Sequence, residues 1–160
     1  MIKLIWAQTA DGVIGSQNQL PWKIKAEMEH FRKTTLNHAV LMGSATFVGM
    51  GYRALKDRLN YVLTRDPNRF ESYAKENLRF IKDYQPLIEE YLHNPNKDLY
   101  VIGGAQVFEL FFDNCDELLC SIIKKPYLGD VYIPQFNYNK FSKVNQNEYE
   151  EFTVEIYKRV

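Results

Sequence analysis

Short apolar runs alternate along the chain with longer segments of helical periodicity. Apolar runs bounded by polar or turn residues are typical of buried strands. They predict strands at residues 2–7, 39–42, 61–63, 79–81, 99–102 and 118–123. Apolar positions three and four residues apart predict helices between these strands, at residues 25–36, 44–50, 85–93 and 105–112.

The pattern changes after residue 123. Residues 131–133 are apolar, an asparagine-rich loop follows, and residues 152–157 alternate between apolar and polar side chains. We interpret this region as an antiparallel terminal hairpin. Strands alternating with helices then predict an α/β fold, with a mainly parallel sheet covered on both faces and an antiparallel tail at one edge.

Ligands of such sheets bind beyond the carboxyl ends of the strands. That rule predicts ligand-facing positions at Ala7, Gly43, residues 63–65 and Gly103–Gly104. A polar loop that contains Gly12, Gly15, Asn18 and Pro21 separates the first strand from the first helix.

Composition narrows the class of protein. A chain of 160 residues with 46% hydrophobic and 25% charged side chains fits one compact domain over residues 1–160. The 20 basic and 20 acidic residues cancel, so we expect neither nucleic acid nor a membrane as partner. Any anionic ligand must therefore be held by local geometry.

The cysteines, histidines and missing motifs exclude several chemistries. Cys115 and Cys120 form no disulfide framework, and the chain shows no targeting or spanning segment, so we expect buried thiols and a cytoplasmic location. His30, His38 and His93 lack metal-ligand spacing, so we expect surface imidazoles and no metal site. Nucleophile-elbow, Walker and zinc-protease motifs are missing from the sequence.

Glu27 is the unusual residue of the first predicted helix. Ile24, Met28, Phe31 and Thr35 form one apolar stripe, and Glu27 borders it. One hypothesis is a boundary carboxylate whose head group reaches water. The other is a partly desolvated acid with a raised pKa, which would suit a heterocycle offering two N–H groups. The pattern leaves both open.

Two strand-glycine-helix junctions, at residues 40–44 and 101–105, direct helix N-termini toward the ligand edge. Both could hold phosphate oxygens. Residues 103–108 lack the third glycine of the G-x-G-x-x-G fingerprint, so a dinucleotide would not be held in the standard Rossmann manner.

Several separate segments together carry a family resemblance. They are Ala7, Asp11-Gly12-Val13-Ile14-Gly15, Leu20-Pro21-Trp22 with Glu27 and Phe31, Met42-Gly43 with Thr46-Phe47, Leu63-Thr64-Arg65, Val101-Ile102-Gly103-Gly104-Ala105, and Gly129-Asp130. In this order they resemble the dihydrofolate reductase family over essentially the whole chain. The resemblance implies an eight-stranded, mostly parallel sheet with an antiparallel C-terminal hairpin and about four flanking helices.

The resemblance also implies an activity. It is the NADPH-dependent reduction of 7,8-dihydrofolate to tetrahydrofolate, with hydride transfer to pterin C6 and protonation at N5. Such a monomeric enzyme serves one-carbon metabolism and thymidylate and purine synthesis, and is a target of antifolates.

The resemblance also implies roles near the pterin for the residues at matching positions of this sequence. Glu27 would bind the ring N3 and 2-amino group and assist protonation, Trp22 would help position a water, Ser121 would hydrogen-bond Glu27, and Leu20 would lie at the tip of a lid formed by residues 9–24. The implied walls around the substrate are Ile5, Ala7, Met28, Phe31, Met50, Leu55 and Ile102. Arg58, rather than Arg53, would bind the α-carboxylate of the glutamyl tail, because it directly precedes a strand.

Cofactor contacts carry over in the same way, with a cis peptide bond between Gly103 and Gly104 and with Asp130 bracing the lid. The implied cofactor residues are Ala7, Ile14, Gly15, Leu20, Gly43, Ser44, Ala45, Thr46, Leu63, Thr64, Arg65, Lys82, Ile102, Gly103, Gly104, Ala105, Gln106, Val107 and Phe108.

The chain departs from the family pattern at several positions. Ser44 stands where many relatives place an arginine, so we expect weaker discrimination between NADPH and NADH, resting on Thr64 and Arg65. Phe108 replaces a common tyrosine, and Ser121 replaces a threonine while keeping its hydroxyl.

The loop before Arg58 departs further. Tyr52 resembles a one-residue insertion, and Ala54, Lys56 and Asp57 replace prolines and a glycine, so we expect an altered loop there. Two alternative functions remain, a reductase of a pyrimidine-sugar intermediate in riboflavin synthesis and a catalytically silent folate or nucleotide binder.

Overall fold

A computed structural model describes residues 1–17 and 19–160. Asn18, which we placed in the loop before the first helix, lies outside the described residues. The strands are β1 (Ile2–Thr9), β2 (Val13–Gly15), β3 (Ala39–Gly43), β4 (Leu59–Leu63), β5 (Leu78–Ile81), β6 (Leu99–Gly103), β7 (Glu117–Ile123), β8 (Val131–Tyr132), β9 (Phe141–Glu148) and β10 (Phe152–Arg159). The α-helices are α1 (Lys25–Thr35), α2 (Ser44–Gly49), α3 (Gln85–Tyr91) and α4 (Ala105–Phe111), with 3-10 segments at Pro67–Tyr73, Phe112–Asn114 and Tyr138–Lys140.

The main sheet has eight strands in the order β5-β4-β3-β6-β1-β7-β10-β9. In this sheet order, the six strands from β5 across to β7 run parallel to one another. The last two strands, β10 and β9, pair in antiparallel orientation. This topology confirms the predicted fold class. Because the parallel strands all end at one edge, residues distant in the chain meet there.

Two apolar layers cover the sheet, as the alternating strand side chains require. On one face, Ile2, Leu4 and Trp6 of β1 pack in a cluster that includes Leu87 of α3 and Phe111 of α4. On the other face, a second cluster is contributed by β1, β3 and the helices α1 and α2, with members Ile5, Val40, Met42, Phe31 and Phe47. The prediction that helices cover both faces is therefore confirmed.

Two strands differ from the predicted elements. The loop predicted before α1 contains β2, which pairs with β8 in a separate two-stranded sheet. The hairpin partner of β10 is β9, so placing residues 131–133 in that hairpin is wrong. Only Phe141 of β9 is buried, and the remaining residues of this edge strand are exposed. An edge strand with polar residues on both faces produces no apolar alternation, which is why the pattern missed it.

The helices are short. None within residues 1–17 and 19–160 combines the length and apolar character needed to cross a membrane.

Candidate active site

Glu27 lies on the buried side of α1 and is only 6% exposed. No basic side chain in the described part of the chain forms an ion pair with it. Burial raises the pKa of Glu27 from an ordinary 4.5 to about 7, while a hydrogen bond from the Ser121 hydroxyl opposes this rise. The hypothesis that the carboxylate reaches water is wrong, because the helix turns it toward the sheet.

Strand register brings the partners of Glu27 together. Ala7 of β1 lies beside Ser121 of β7 in a parallel pair, and Ser121 also faces Val154 of β10. Trp22 is buried in a cluster with Ala7 and Val154. Its indole Nε1 is buried without a hydrogen-bond partner among the described residues. A buried donor without a partner costs free energy, so this nitrogen is a candidate for a polar ligand atom or water.

The apolar side chains beside Glu27 are not all buried. Met28 is 58% exposed, so its assignment to the buried stripe is wrong, whereas Thr35 and Ile24 of that stripe are buried. Phe31, one helical turn after Glu27, is only half-buried. Because Met28 and Phe31 are both partly open to solvent, apolar surface is accessible beside the acid. Four further implied wall residues belong to the apolar cluster on the face of the sheet that α1 and α2 cover, and they are Ile5, Met50, Leu55 and Ile102.

Arg58 is 9% exposed, whereas Arg53 is exposed. The Arg58 guanidinium donates to the Lys56 carbonyl oxygen at 2.9 Å and to the Thr35 hydroxyl at 3.0 Å. No carboxylate within residues 1–17 and 19–160 forms an ion pair with it. Burial lowers its pKa, and nearby Arg32 adds to that effect. A buried cation without an anionic partner favours an incoming carboxylate.

Asn60 and Thr35 were missing from the predicted site, although both support Arg58. Asn60 is fully buried and binds the backbone of the preceding loop, accepting from Leu55 N and donating to the carbonyl oxygens of Leu55 and Arg58. Asp57 of that loop adopts a left-handed φ of 60°. A buried asparagine in a strand was the available signal, since a buried amide needs partners.

The cofactor positions carried over from the resemblance meet at the carboxyl ends of four parallel strands. Gly43 of β3 lies beside Leu63 of β4, Leu63 beside Ile81 of β5, and Met42 beside Gly103 of β6. The Gly103–Gly104 peptide bond is cis, as the resemblance implies. Of the positions at this edge, Ser44, Thr46, Thr64 and Ala105 are half-buried, Val107 and Phe108 are buried, and Ala45, Arg65, Lys82 and Gln106 are exposed.

The glycines of this edge leave room that other residues would fill. A methyl group at Gly43 would lie 3.0 Å from Val107 Cγ2, and one at either Gly103 or Gly104 would lie 3.6 Å from Thr46 Oγ1. Gly103 also has a φ of 134°, which side chains rarely adopt. Among the residues that the structure describes, no side chain caps the N-terminus of α2 or α4. Backbone N–H groups there remain available to oxygen atoms of a ligand.

The predicted lid packs against the segment of residues 124–130. Asp130 donates its backbone N–H to the Gly15 carbonyl oxygen at 3.0 Å and accepts from the Gln17 N–H at 3.2 Å. A methyl group at Gly129 would lie 2.4 Å from that same Gly15 oxygen. In the described part of the lid, Ile14 is half-buried, Gly15 is buried, and Leu20 is 51% exposed.

The cysteines are free and buried, as expected. The surface interpretation is wrong for His30, whose Nε2 is buried without a partner in the described chain and whose ring lies near Tyr149 and Phe152. No cluster of residues suited to a metal ion occurs among the residues described.

The sheet, the buried acid and the glycine-lined edge define an α/β protein whose candidate site lies at the carboxyl ends of its parallel strands. The dihydrofolate reductase family model matches residues 1–159. The chain is 42% identical to the dihydrofolate reductase of Mycoplasma pneumoniae, covering 100% of this chain and 99% of that one. It is 34% identical to the Lactococcus lactis dihydrofolate reductase, covering 100% and 98%.

A solved structure is also similar. It is the Enterococcus faecalis dihydrofolate reductase complexed with NADP(H) and RAB-propyl, with a TM-score of 0.85, 29% identity, and coverage of 99% and 96%. The chain belongs to the dihydrofolate reductase family, and is thus an oxidoreductase.

Proposed function

We propose that this chain reduces 7,8-dihydrofolate to tetrahydrofolate with NADPH as the hydride donor. The observation that carries the proposal is Glu27, a carboxyl group that is almost fully buried, bonded to Ser121, and has a pKa of about 7. An acid with this pKa changes protonation state near neutrality, where proton transfer by a positioned side chain is most effective. Pterin reduction requires a proton as well as a hydride.

Glu27 binds and orients the pterin. As a carboxylate it accepts hydrogen bonds from two parallel N–H groups, which matches the ring N3 and the 2-amino group. These bonds replace the water that the buried acid lost, so they offset its desolvation. The Ser121 hydroxyl lies next to the carboxylate, and Trp22, which packs with the Ala7 neighbour of Ser121, offers a buried Nε1 that has no partner among the described residues. Together these groups favour protonation at N5.

NADPH, when bound, supplies the hydride. The glycine-lined edge fits such a group because Gly103 and Gly104 leave open the space beside Thr46, and Gly43 leaves open the space beside Val107. Thr64, Arg65 and Lys82 follow β4 and β5 at this edge and would hold the adenosine end. Leu20 and the rest of the lid exclude water from the path between the rings.

Arg58 holds the tail of the substrate. Its buried guanidinium, oriented by Thr35 and the Lys56 carbonyl oxygen, offers a fork to the α-carboxylate of the glutamyl group. Phe31, Met50 and Leu55 line the path of the aminobenzoyl ring between Glu27 and Arg58.

We also propose that residues 1–160 act as one domain and as a monomer, with dihydrofolate as its small-molecule partner and without nucleic acid or membrane partners. The net charge of zero supports the proposal that neither nucleic acid nor a membrane is a partner. The free, buried cysteines support a cytoplasmic location.

The test is dihydrofolate-dependent oxidation of NADPH by the purified chain. We expect turnover with dihydrofolate and none with the pyrimidine-sugar substrate of the riboflavin pathway. Turnover with the sugar substrate alone, or tight dihydrofolate binding without cofactor oxidation, would contradict the proposal.

A further inference from the structure

Tyr127 contacts the indole of Trp22 and was not among the residues predicted to form the site. The two rings meet edge to face, with centroids 5.7 Å apart and planes at 61°. Tyr127 packs against the cluster that contains Trp22, Ala7 and Ile123. Aromatic pairs of this geometry hold each other in one orientation better than aliphatic contacts do.

The segment that carries Tyr127 contacts the lid at a second place. Asp130, three residues later, bonds to Gly15 and Gln17. Gly129 approaches Gly15 so closely that a methyl group would not fit. Tyr127, Gly129 and Asp130 therefore contact the chain on both sides of the lid tip, at residues 15–17 and at Trp22, whereas the Leu128 side chain between them is exposed.

Contacts also connect Trp22 with the acid. Trp22 shares its cluster with Ala7, Ala7 lies beside Ser121, and the Ser121 hydroxyl is close enough to Glu27 to lower the pKa of its carboxyl group. The buried Nε1 has no protein partner in the described chain, so the orientation of the indole is not fixed by a hydrogen bond. Packing must set it.

We propose that Tyr127 is a positioning residue for proton delivery, whose ring fixes the Trp22 indole so that Nε1 faces the region of Glu27. This inference rests on the proposed function. Loss of the ring lets the indole change orientation, which slows the reaction most where supply of the proton limits it, at high pH. Binding of the glutamyl tail depends on Arg58 and is unaffected.

The test compares Tyr127→Leu, Tyr127→Phe and the control Leu128→Ala, whose side chain is 95% exposed. Single-turnover hydride transfer and the KM for dihydrofolate are measured between about pH 5.5 and 8.5. We expect Tyr127→Leu to slow hydride transfer by about three- to tenfold at the high end, with a smaller effect at the low end and little change in KM. Tyr127→Phe and Leu128→Ala should stay within about twofold of the wild type.

Fluorescence of the Trp22 indole reports directly on the packing around it. The chain has two tryptophans, so Trp6→Phe leaves Trp22 as the only indole fluorophore. In that background, Tyr127→Leu should shift Trp22 emission to longer wavelength and increase its quenching by acrylamide. If Tyr127→Leu does not fold, Tyr127→Met provides the same comparison.

Unchanged hydride transfer at high pH in folded Tyr127→Leu would overturn the inference. So would an equal loss at all pH values, which marks a merely structural role, or an equal loss in Tyr127→Phe. In each case the wild type remains active, whereas failure of the proposed function would appear as an inactive wild type.

Discussion

At the scale of single residues, the site depends on two buried ionisable groups that form no ion pair within the described part of the chain. Glu27 and Arg58 are 6% and 9% exposed. Burying an unpaired charge costs stability, so such groups are retained where a ligand supplies the missing partner. A neutral ring with N–H donors suits the first group, and a carboxylate suits the second.

The burial of Glu27 makes stability depend on pH. The folded protein binds the Glu27 proton with a pKa of about 7, and the unfolded chain binds it with the ordinary 4.5. Because the folded state holds more protons between these values, the free energy of unfolding falls as pH rises through this window. The loss approaches about 3 kcal/mol at most.

Glu27→Gln should remove this fall in the free energy of unfolding at high pH. We expect the variant to resist urea better than the wild type at about pH 8, and the two midpoints to converge toward about pH 5. A stability difference that stays constant over this range would show that Glu27 does not titrate with a raised pKa.

Replacing Arg58 tests the tail site. Hydrogen bonds to charged groups contribute about 1.5 to 3 kcal/mol, so Arg58→Gln should raise the KM for dihydrofolate by about ten- to a hundredfold. A dihydropterin without the glutamyl tail should be reduced at a similar rate by both proteins. Arg53→Gln is the matched control, since Arg53 is exposed. An equal effect of Arg53→Gln would move the tail site to Arg53.

At the scale of elements, apolar runs predicted the parallel strands because these strands are buried on both faces. The buried residues of β3 and β6 follow one another without polar interruption. The same reasoning failed for β9, whose exposed residues carry no pattern, and for β2, whose short pairing with β8 depends on the tertiary fold.

The sequence likewise predicted only part of the site. The position of Glu27 beside an apolar stripe was visible in the sequence, but its burial was not, because a boundary position on a helix can face either way. The contact between Tyr127 and Trp22 joins residues more than a hundred positions apart and leaves no local signal. The support of Arg58 by Asn60 likewise depends on how the preceding loop folds back.

The contact between the lid and residues 124–130 predicts the effect of a small substitution. Gly129→Ala places a methyl group 2.4 Å from the Gly15 carbonyl oxygen, which is backbone and cannot rotate away. Forced overpacking of this kind costs about 1 to 3 kcal/mol. We expect the contact between Asp130 and Gly15 to weaken and hydride transfer to slow by about tenfold. Leu128→Ala is the control, and equal rates for both variants and the wild type would refute a role of this contact.

At the scale of the whole molecule, a net charge of zero gives no long-range attraction for anionic ligands. Selection between NADPH and NADH then depends on cations close to the site. Arg65 and Lys82 are exposed at the carboxyl edge, and Ser44 begins α2 at the same edge.

Ser44→Arg should therefore add discrimination. A new charge-assisted contact to the 2′-phosphate should tighten NADPH over NADH by about 1 to 3 kcal/mol, measured as the ratio of their Kd values. Ser142→Arg adds the same charge on the exposed edge strand β9 and should leave the ratio unchanged. Equal tightening of both cofactors by Ser44→Arg would show that residue 44 does not face the phosphate.

The most direct test of the whole account is the pH dependence of dihydrofolate reduction by the wild type and Glu27→Gln. Positioned proton transfer contributes about a hundred- to ten-thousandfold, so the variant should be slower by that order at about pH 7. The gap should narrow as the pH falls, because protons from solvent replace the missing acid. Equal turnover of the two proteins at neutral pH would contradict the assignment of Glu27 as the group on which the reaction depends.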